Sequence, residues 1–350
     1  MTPEFWHGKS VLVTGHTGFK GGWLCLWLQQ LGARVQGYAL PAATQPSLFL
    51  EARVGEGMSH AEGDIRDLSQ LKACMDAAQP EIVFHLAAQA LVRQSYLDPI
   101  ETMTSNVIGA ANVLEAVRST PSVKAVVVIT SDKCYENREW HWPYRENEAL
   151  GGRDPYSASK ACAEIVTASW RDSFLAGQLV WVATARAGNV VGGGDWAADR
   201  LIPDALRAWQ SRASLDVRSP HAVRPWQHVL DPLAGYLLLA ESLYQGQHAE
   251  AWNFGPSDSD MYPVGALLDR LAGLWGEGAS WRSDPHQHPH EAGLLRLDSS
   301  KARSLLGWKP KFNIDQALAQ VVQWRRGWMA GEDMRAFTLD QINQYMALSR

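Results

Sequence analysis

The first half of the chain alternates short, continuously apolar, β-branched runs with longer amphipathic stretches, and this pattern leaves few architectures open. Residues 10–14 (SVLVT) form the first run, and 19–31 follow as a helix that Gly32 ends at the usual C-terminal capping position. Residues 33–40, 81–87 (EIVFHLA), 124–130 (KAVVVIT) and 179–185 (LVWVATA) read as further strands, with helices near 68–78, 100–117 and 156–174 between them. A strand with one wet face would alternate apolar and polar residues. These runs do not, so both faces are covered and helical crossovers make the sheet parallel. The expectation is an α/β, Rossmann-type doubly wound parallel sheet, which binds its ligand beyond the carboxyl ends of its strands, where the strand order reverses.

After about Asn189 the texture changes to loops rich in Gly, Pro, Trp and Arg, with helices at 201–210, 231–243, 264–275 and 314–330. This half reads as a smaller, mixed C-terminal substrate-binding lobe, 189–350, beside a dinucleotide-binding domain, 1–188, with some segments interleaved between the two. Asp298-Ser299-Ser300 ahead of 301–306 reads as an N-capped short helix closed by Gly307. His286, His288 and His290 alternate in a polar, Pro-containing loop and read as solvated rather than as metal ligands.

Charge limits the partners. With 32 basic and 37 acidic side chains the formal net charge is -5, which offers no electrostatic footprint for nucleic acid or an anionic membrane surface, so an anionic ligand must be held locally. No apolar run approaches the ~20 residues needed to cross a bilayer, and the first residues lack the apolar segment of a signal peptide. Cys25, Cys74, Cys134 and Cys162 show no Cys-x-x-Cys spacing, so neither a disulfide framework nor a thiolate metal site is readable. A cytoplasmic location with reduced thiols is the expectation.

Between the first strand and the first helix lies Gly15-His16-Thr17-Gly18-Phe19-Lys20-Gly21. Gly15 can take a backbone angle closed to other residues, Gly18 lets the chain approach a pyrophosphate, and Gly21 lets helix and strand pack closely. Thr17, Phe19 and Lys20 belong to the same turn; Lys20 either approaches a phosphate or is solvated. The second strand ends Gln36-Gly37-Tyr38-Ala39-Leu40, with no acidic residue for the ribose hydroxyls of NAD and no Arg for a 2′-phosphate, which favours NAD without settling it. Asp64, in Gly63-Asp64-Ile65-Arg66, either accepts from an adenine amino group or caps the helix that starts at Leu68.

Tyr156 and Lys160 are four residues apart and share one helix face. A lysine cation beside a phenol favours phenolate, lowering a pKa that starts near ~10. Ser131, at the end of the 124–130 run, is placed to complete a Ser-Tyr-Lys set.

The glycine turn, His85-Leu86-Ala87-Ala88-Gln89, Ser131 and Tyr156-x-x-x-Lys160 together resemble the extended short-chain dehydrogenase/reductase superfamily, over nearly the whole chain. Within it, Gly18-Phe19-Lys20-Gly21, Thr130-Ser131-Asp132-Lys133-Cys134-Tyr135, the run from Gly188 to Trp196 and the run from Arg224 to Asp231 are similar to the CDP-glucose branch of the NAD-dependent sugar-nucleotide 4,6-dehydratases. The resemblance implies NAD as cofactor, lined by the glycine turn, Asp64, Ile65, Leu86, Ala87, Ala88, Tyr156 and Lys160. It implies CDP-glucose as substrate, with Gln89, Asn189, Arg200, Arg224 and His228 as binding residues.

The implied reaction oxidises C4, eliminates water across C5 and C6, and returns hydride to C6, in deoxysugar biosynthesis for cell-surface polysaccharide. Tyr156 would take the C4 hydroxyl proton, Ser131 would bind that oxygen, and Asp132 would protonate the departing C6 hydroxyl. Lys133 would remove the C5 proton, or stand as a fixed cation stabilising an enolate. Other dehydratases of the superfamily carry Asp-Glu at that place, so Lys133 departs from them. A 4-epimerase would not need an acid/base pair beside Ser131, and a non-catalytic NAD-binding regulator would not need the Ser-Tyr-Lys set. Trp196 and Trp226 would stack on cytosine or wall the sugar pocket, Trp23 and Trp27 read as core, and Cys134 as packing. The resemblance also implies a homodimer through the helices at 100–117 and 156–174.

Overall fold

In the computed structural model, which describes residues 2–257, 260–286 and 293–348, the apolar runs become the strands of one parallel sheet. Its strands are β1 (Ser10–Thr14), β2 (Arg34–Ala39), β3 (Ser59–Glu62), β4 (Ile82–His85), β5 (Ala125–Ile129), β6 (Trp181–Ala187) and, after three short strands, β10 (Ala251–Phe254). The order is β10-β6-β5-β4-β1-β2-β3, all pairs parallel. The chain runs outward from β1 to β3 and then restarts on the other side of β1 with β4. The reversal therefore falls between β1 and β4, beside the glycine turn.

Alternate residues of each strand feed two cores. Val11, Val13, Ile82, Phe84, Ala125 and Val127 face the helices Phe19–Gln30 and Leu230–Tyr244 and the C-terminal helix Met334–Ala347. Leu12, Val83, Val126 and Val128 face helices Leu68–Ala78 and Gly109–Arg118. Trp23 and Trp27 are fully enclosed in the first core. The outer strand β3, of sequence SHAE, is mostly exposed and polar, as an edge that must not recruit another strand should be.

The second half builds a smaller lobe around a third core. Helices Leu201–Gln210, Val264–Trp275 and Ile314–Met329 pack there with a mixed sheet of β7 (Asn189–Val191), β9 (Val223–His228) and β11 (Met261–Pro263), and with the pair β8 (Leu215–Val217) and β12 (Trp281–Ser283). Strand β10 and the helices Leu230–Tyr244 and Met334–Ala347 return to the large sheet, so the lobes share the chain in alternation.

Several features were not readable from periodicity. Strands β7 to β12 are short, most of three or four residues, and Met334–Ala347 has no apolar stripe; it docks through Met334, Ile342 and Tyr345. The helix expected over 100–117 contains a π-helical turn at Thr104–Ile108, and the one expected over 156–174 ends in another at Arg171–Leu175. Ser299 does not cap its helix through its side chain; Asp298 Oδ1 accepts from Ser300 N–H at 2.7 Å while Ser299 Oγ accepts from Gly255 N–H. Gly307 does adopt φ +62° behind that helix. Among the described residues, no helix is long and apolar enough to cross a membrane and no cluster of His, Cys, Asp and Glu could hold a metal. His286 lies 2.7 Å from Asp284; His288 and His290 lie outside the described residues.

Candidate active site

A cavity of about 750 Å³ runs along the carboxyl ends of β1, β4, β5 and β6, under the smaller lobe. At its floor Gly15 adopts φ +76°, and a Cβ there would stand 2.6 Å from the Ala87 backbone nitrogen. A Cβ on Gly21 would fall 2.2 Å from the Gly15 carbonyl oxygen. These two glycines thus let turn, helix and the segment Leu86-Ala87-Ala88 stack directly. Gly18 is the N-cap of helix Phe19–Gln30 and has no side chain to satisfy the first-turn N–H groups, which leaves them for a phosphate. Thr17 Oγ1 donates to the Leu40 carbonyl at 2.8 Å and ties the turn to the end of β2. The cradle fits a dinucleotide diphosphate.

The adenosine end of the cavity lies between Leu40-Pro41 and Gly63-Asp64-Ile65. Asp67, not Asp64, caps the helix at Leu68, accepting from Ser69 and Gln70 N–H at 3.0 Å each, so the capping alternative for Asp64 is discarded. The Asp64 carboxylate lines the cavity while Arg66 grips both its oxygens, and that guanidinium holds its pKa below the usual carboxylate range.

At the other end, β5 delivers Ser131, and a single 3-10 turn, Asp132–Cys134, follows. Ser131 Oγ donates to Asp132 Oδ1 at 3.0 Å and accepts from Lys133 N–H at 3.2 Å. Asp132 is buried and its Oδ2 has no hydrogen-bond partner. Burial raises its pKa against the opposing pull of Lys133, the Ser131 hydrogen bond and Arg224, which favours the protonated carboxyl that an acid role requires. Lys133 is half-buried and lines the same cavity.

Tyr156 stands in the first turn of helix Pro155–Trp170, which Asp154 caps by accepting from Ser157 N–H at 2.9 Å. Lys160 follows one turn on, and both line the cavity. Burial pushes the Tyr156 phenol up to about 12, opposed by its Ser131 hydrogen bond and the Arg200 charge. The Lys160 ammonium donates to the Ile129 carbonyl at 3.4 Å, and burial lowers its own pKa to about 8. Below Lys160, Glu164 and Arg186 form a buried ion pair at 2.8 Å that ties the helix to β6.

Of the residues expected to meet the sugar nucleotide, Gln89, Asn189, Arg200 and Arg224 line the cavity. Gln89 is fixed by bonds from Nε2 to Thr102 Oγ1 (2.9 Å) and the Leu91 carbonyl (3.0 Å), and Arg200 pairs with Asp195 at 3.5 Å. His228 is a correction. It is fully buried outside the cavity, edge-on to Trp23 and Phe312, with a pKa lowered to about 3 by burial, and its Nδ1 accepts from Leu230 N–H. Trp226 walls the cavity, whereas Trp196 packs edge-on against Trp324 and Trp328 and does not reach it. Cys134 is buried, and desolvation raises its thiol pKa well above the ordinary value.

Three arginines that line the cavity were not singled out from sequence: Arg93, Arg218 and Arg325. Arg325 lies over the Trp196 and Trp328 rings at 5.4 and 4.6 Å, with its pKa lowered to about 10 by burial. Lys20 is not solvated. It is half-buried in the cavity floor, and its amine is pushed down to about 7 by burial and by the Arg200 and Lys160 charges.

Residues 12–321 match the family GDP-mannose 4,6 dehydratase. A CDP-glucose 4,6-dehydratase from Salmonella typhimurium is 51% identical over 98% of this chain and 98% of its own length. A dTDP-glucose 4,6-dehydratase from Xanthomonas campestris pv. campestris is 25% identical, over 95% of this chain and 98% of its own. Among solved structures, a UDP-glucose-4-epimerase from Stenotrophomonas maltophila with bound NAD and formylated UDP-arabinopyranose superposes with a TM-score of 0.80 at 24% identity, covering 92% of this chain and 99% of that one. A dTDP-glucose 4,6-dehydratase from Bacillus anthracis in complex with NAD gives 0.78 at 19% identity, covering 95% and 100%. These superpositions establish the shared fold.

Proposed function

Since the chain belongs to the GDP-mannose 4,6-dehydratase family of sugar-nucleotide enzymes, we infer that it carries out the NAD-dependent 4,6-dehydration of CDP-glucose to CDP-4-dehydro-6-deoxyglucose, a hydro-lyase reaction. The observation that carries this reading is the 51% identity to a CDP-glucose 4,6-dehydratase over nearly the full length of both chains. The buried Ser131-Asp132-Lys133 turn facing Tyr156 across one cavity supports it.

NAD, when bound, supplies a hydride acceptor at sugar C4 and the same hydride to C6. The glycine turn, Ile65 and Leu86 to Ala88 would hold it, and Lys160 would meet its ribose. Tyr156, once in its phenolate form, takes the proton of the C4 hydroxyl while Ser131 hydrogen-bonds that oxygen. The resulting C4 ketone acidifies the C5 proton, which Lys133 removes, and Asp132 gives its proton to the departing C6 hydroxyl, releasing water. Lys133 must be neutral to accept that proton, and Asp132 must be protonated to give one. Arg224 and Arg200 meet the substrate diphosphate, a planar guanidinium being suited to bidentate phosphate contact. A 4-epimerase would share Tyr156 and Lys160 but has no use for the Asp132-Lys133 pair.

The product, a 4-keto-6-deoxy sugar nucleotide, suits deoxysugar supply to cell-surface polysaccharide, and a cytoplasmic location suits the reduced thiols. A homodimer is supported by the bare apolar side chains on the paired helices and the segment before them: Leu97, Ile100 and Ile165 are 79, 71 and 58% exposed. A monomer by light scattering at micromolar concentration removes the dimer. The function is tested by incubation with CDP-, dTDP-, GDP- and UDP-glucose, scoring the alkaline absorbance of a keto sugar and deuterium uptake at C5. Turnover of CDP-glucose is expected; turnover of another nucleotide instead overturns the substrate assignment.

A further inference from the structure

Lys20 occupies a costly position. It is the second residue of helix Phe19–Gln30, where the macrodipole already disfavours a cation. Arg200, from the loop before Leu201, and Lys160, from the Tyr156 helix, both repel its amine; Asp132, from the turn after β5, attracts it only when ionised. Burial holds Asp132 toward its neutral form. From helix Leu230–Tyr244 it meets the Tyr236 ring, 5.8 Å from centroid to Nζ, and the Tyr236 phenol, itself close to Tyr156, has no hydrogen-bond partner. Among the described residues, no carboxylate or carbonyl bonds the Lys20 amine.

A lysine enclosed by cations at a helix N-terminus gains most from a dianion, and the vacant first-turn N–H groups beside it suit the same ligand. We propose that Lys20 is a proton-coupled clamp for a bound diphosphate: its amine takes up a proton from solvent as the diphosphate docks against it and the first-turn N–H groups. This rests on the reading of the cavity as a nucleotide site. The diphosphate belongs either to the dinucleotide or to the sugar nucleotide, and the titrations below separate the two.

The full-length protein, stripped of nucleotide, is titrated calorimetrically at pH 8 with NAD and, separately, with CDP, each in two buffers of different ionisation enthalpy. With an amine that titrates near 7, uptake of roughly 0.5 to 0.9 proton per diphosphate is expected, and apparent Kd should rise by up to about tenfold per pH unit above neutrality. Uptake with NAD identifies the cofactor diphosphate; uptake with CDP identifies the substrate's. Lys20→Met should bind more weakly with no pH slope. Lys20→Arg, which cannot deprotonate, should also lose the slope and the uptake yet keep its affinity at pH 8.5. Binding without uptake in the parent protein, or uptake that survives in Lys20→Arg, overturns the proposal; failure of NAD and CDP to bind at all overturns the nucleotide-site reading instead.

Discussion

Replacing Glu164 with Gln tests whether the catalytic helix is held from beneath by charge. Glu164 and Arg186 are both buried; Arg186 Nε and Nη2 donate to the two carboxylate oxygens at 2.9 and 2.8 Å, and Thr184 Oγ1 donates to Oε2 at 2.7 Å. Arg186 Nη1 also donates to the Tyr135 hydroxyl at 2.8 Å and the Glu146 carbonyl at 3.1 Å. The intact pair need not stabilise much, because desolvating two ions offsets most of their attraction. Removing one partner strands a buried guanidinium, which costs about 3–5 kcal/mol. Unfolding entropy of roughly 2.1 cal/mol/K per residue gives a chain of this size about 0.7 kcal/mol/K, so Tm should fall by roughly 4–7 °C.

There is also a functional readout. The Glu164 charge favours the Lys160 ammonium one turn away, so Glu164→Gln should move the Lys160 pKa further below its value of about 8. Differential scanning calorimetry measures the first effect and the pH dependence of NAD affinity the second. The double variant Glu164→Gln/Arg186→Met, which removes both ions, should recover much of the lost Tm. A single variant within about 1 °C of the parent, or a double variant no more stable than the single, refutes this account of the pair.

Lys133→Met should still oxidise the sugar, seen as a transient NADH absorbance, while keto-deoxy product is lost; unaltered turnover removes Lys133 from the elimination. Tyr156→Phe should lower kcat by about 10²- to 10⁴-fold, the usual worth of general base catalysis, with NAD binding retained in a fluorescence titration. Asp231 is fully buried, and burial raises its pKa to about 7 against the opposing Lys311 N–H and Tyr345 hydroxyl bonds. Its folded pKa lies above the unfolded value, so the native state holds the extra proton and stability falls as pH rises from ~4 through ~7. Asp231→Asn should abolish that slope and stabilise the protein at pH 8, by an amount on the order of 2–4 kcal/mol, as read by urea denaturation.

The sheet, its switch point and the glycine turn were legible because their signals are local. Five apolar strands cannot be solvated, and Gly15 and Gly21 stand where a Cβ meets backbone. Ser131, Asp132, Lys133, Tyr156 and Lys160 were legible as a set because two short segments carry all five. What escaped was decided by the fold. His228 follows Arg224 on β9 by four residues, an even spacing in a strand, yet it lies outside the cavity at the end where β9 gives way to helix Leu230–Tyr244. Arg218 and Arg325 gain meaning only when the smaller lobe is laid over the sheet. Lys20 belongs by sequence to the start of the first helix, beside the glycine turn, but the two cations that repel it come from two other elements and leave no trace in its own sequence context.

The alternation of the chain between lobes has a consequence for synthesis and movement. The strand that pairs with β6 and the helix that covers Phe19–Gln30 emerge late from the ribosome, so the nascent nucleotide-binding half waits with an open sheet edge and a bare apolar flank. A fragment ended near residue 190 should therefore aggregate rather than fold. In the finished molecule the same crossings act as several straps across the cleft, so any closure over substrate would be a small slide of packed helices instead of a wide swing.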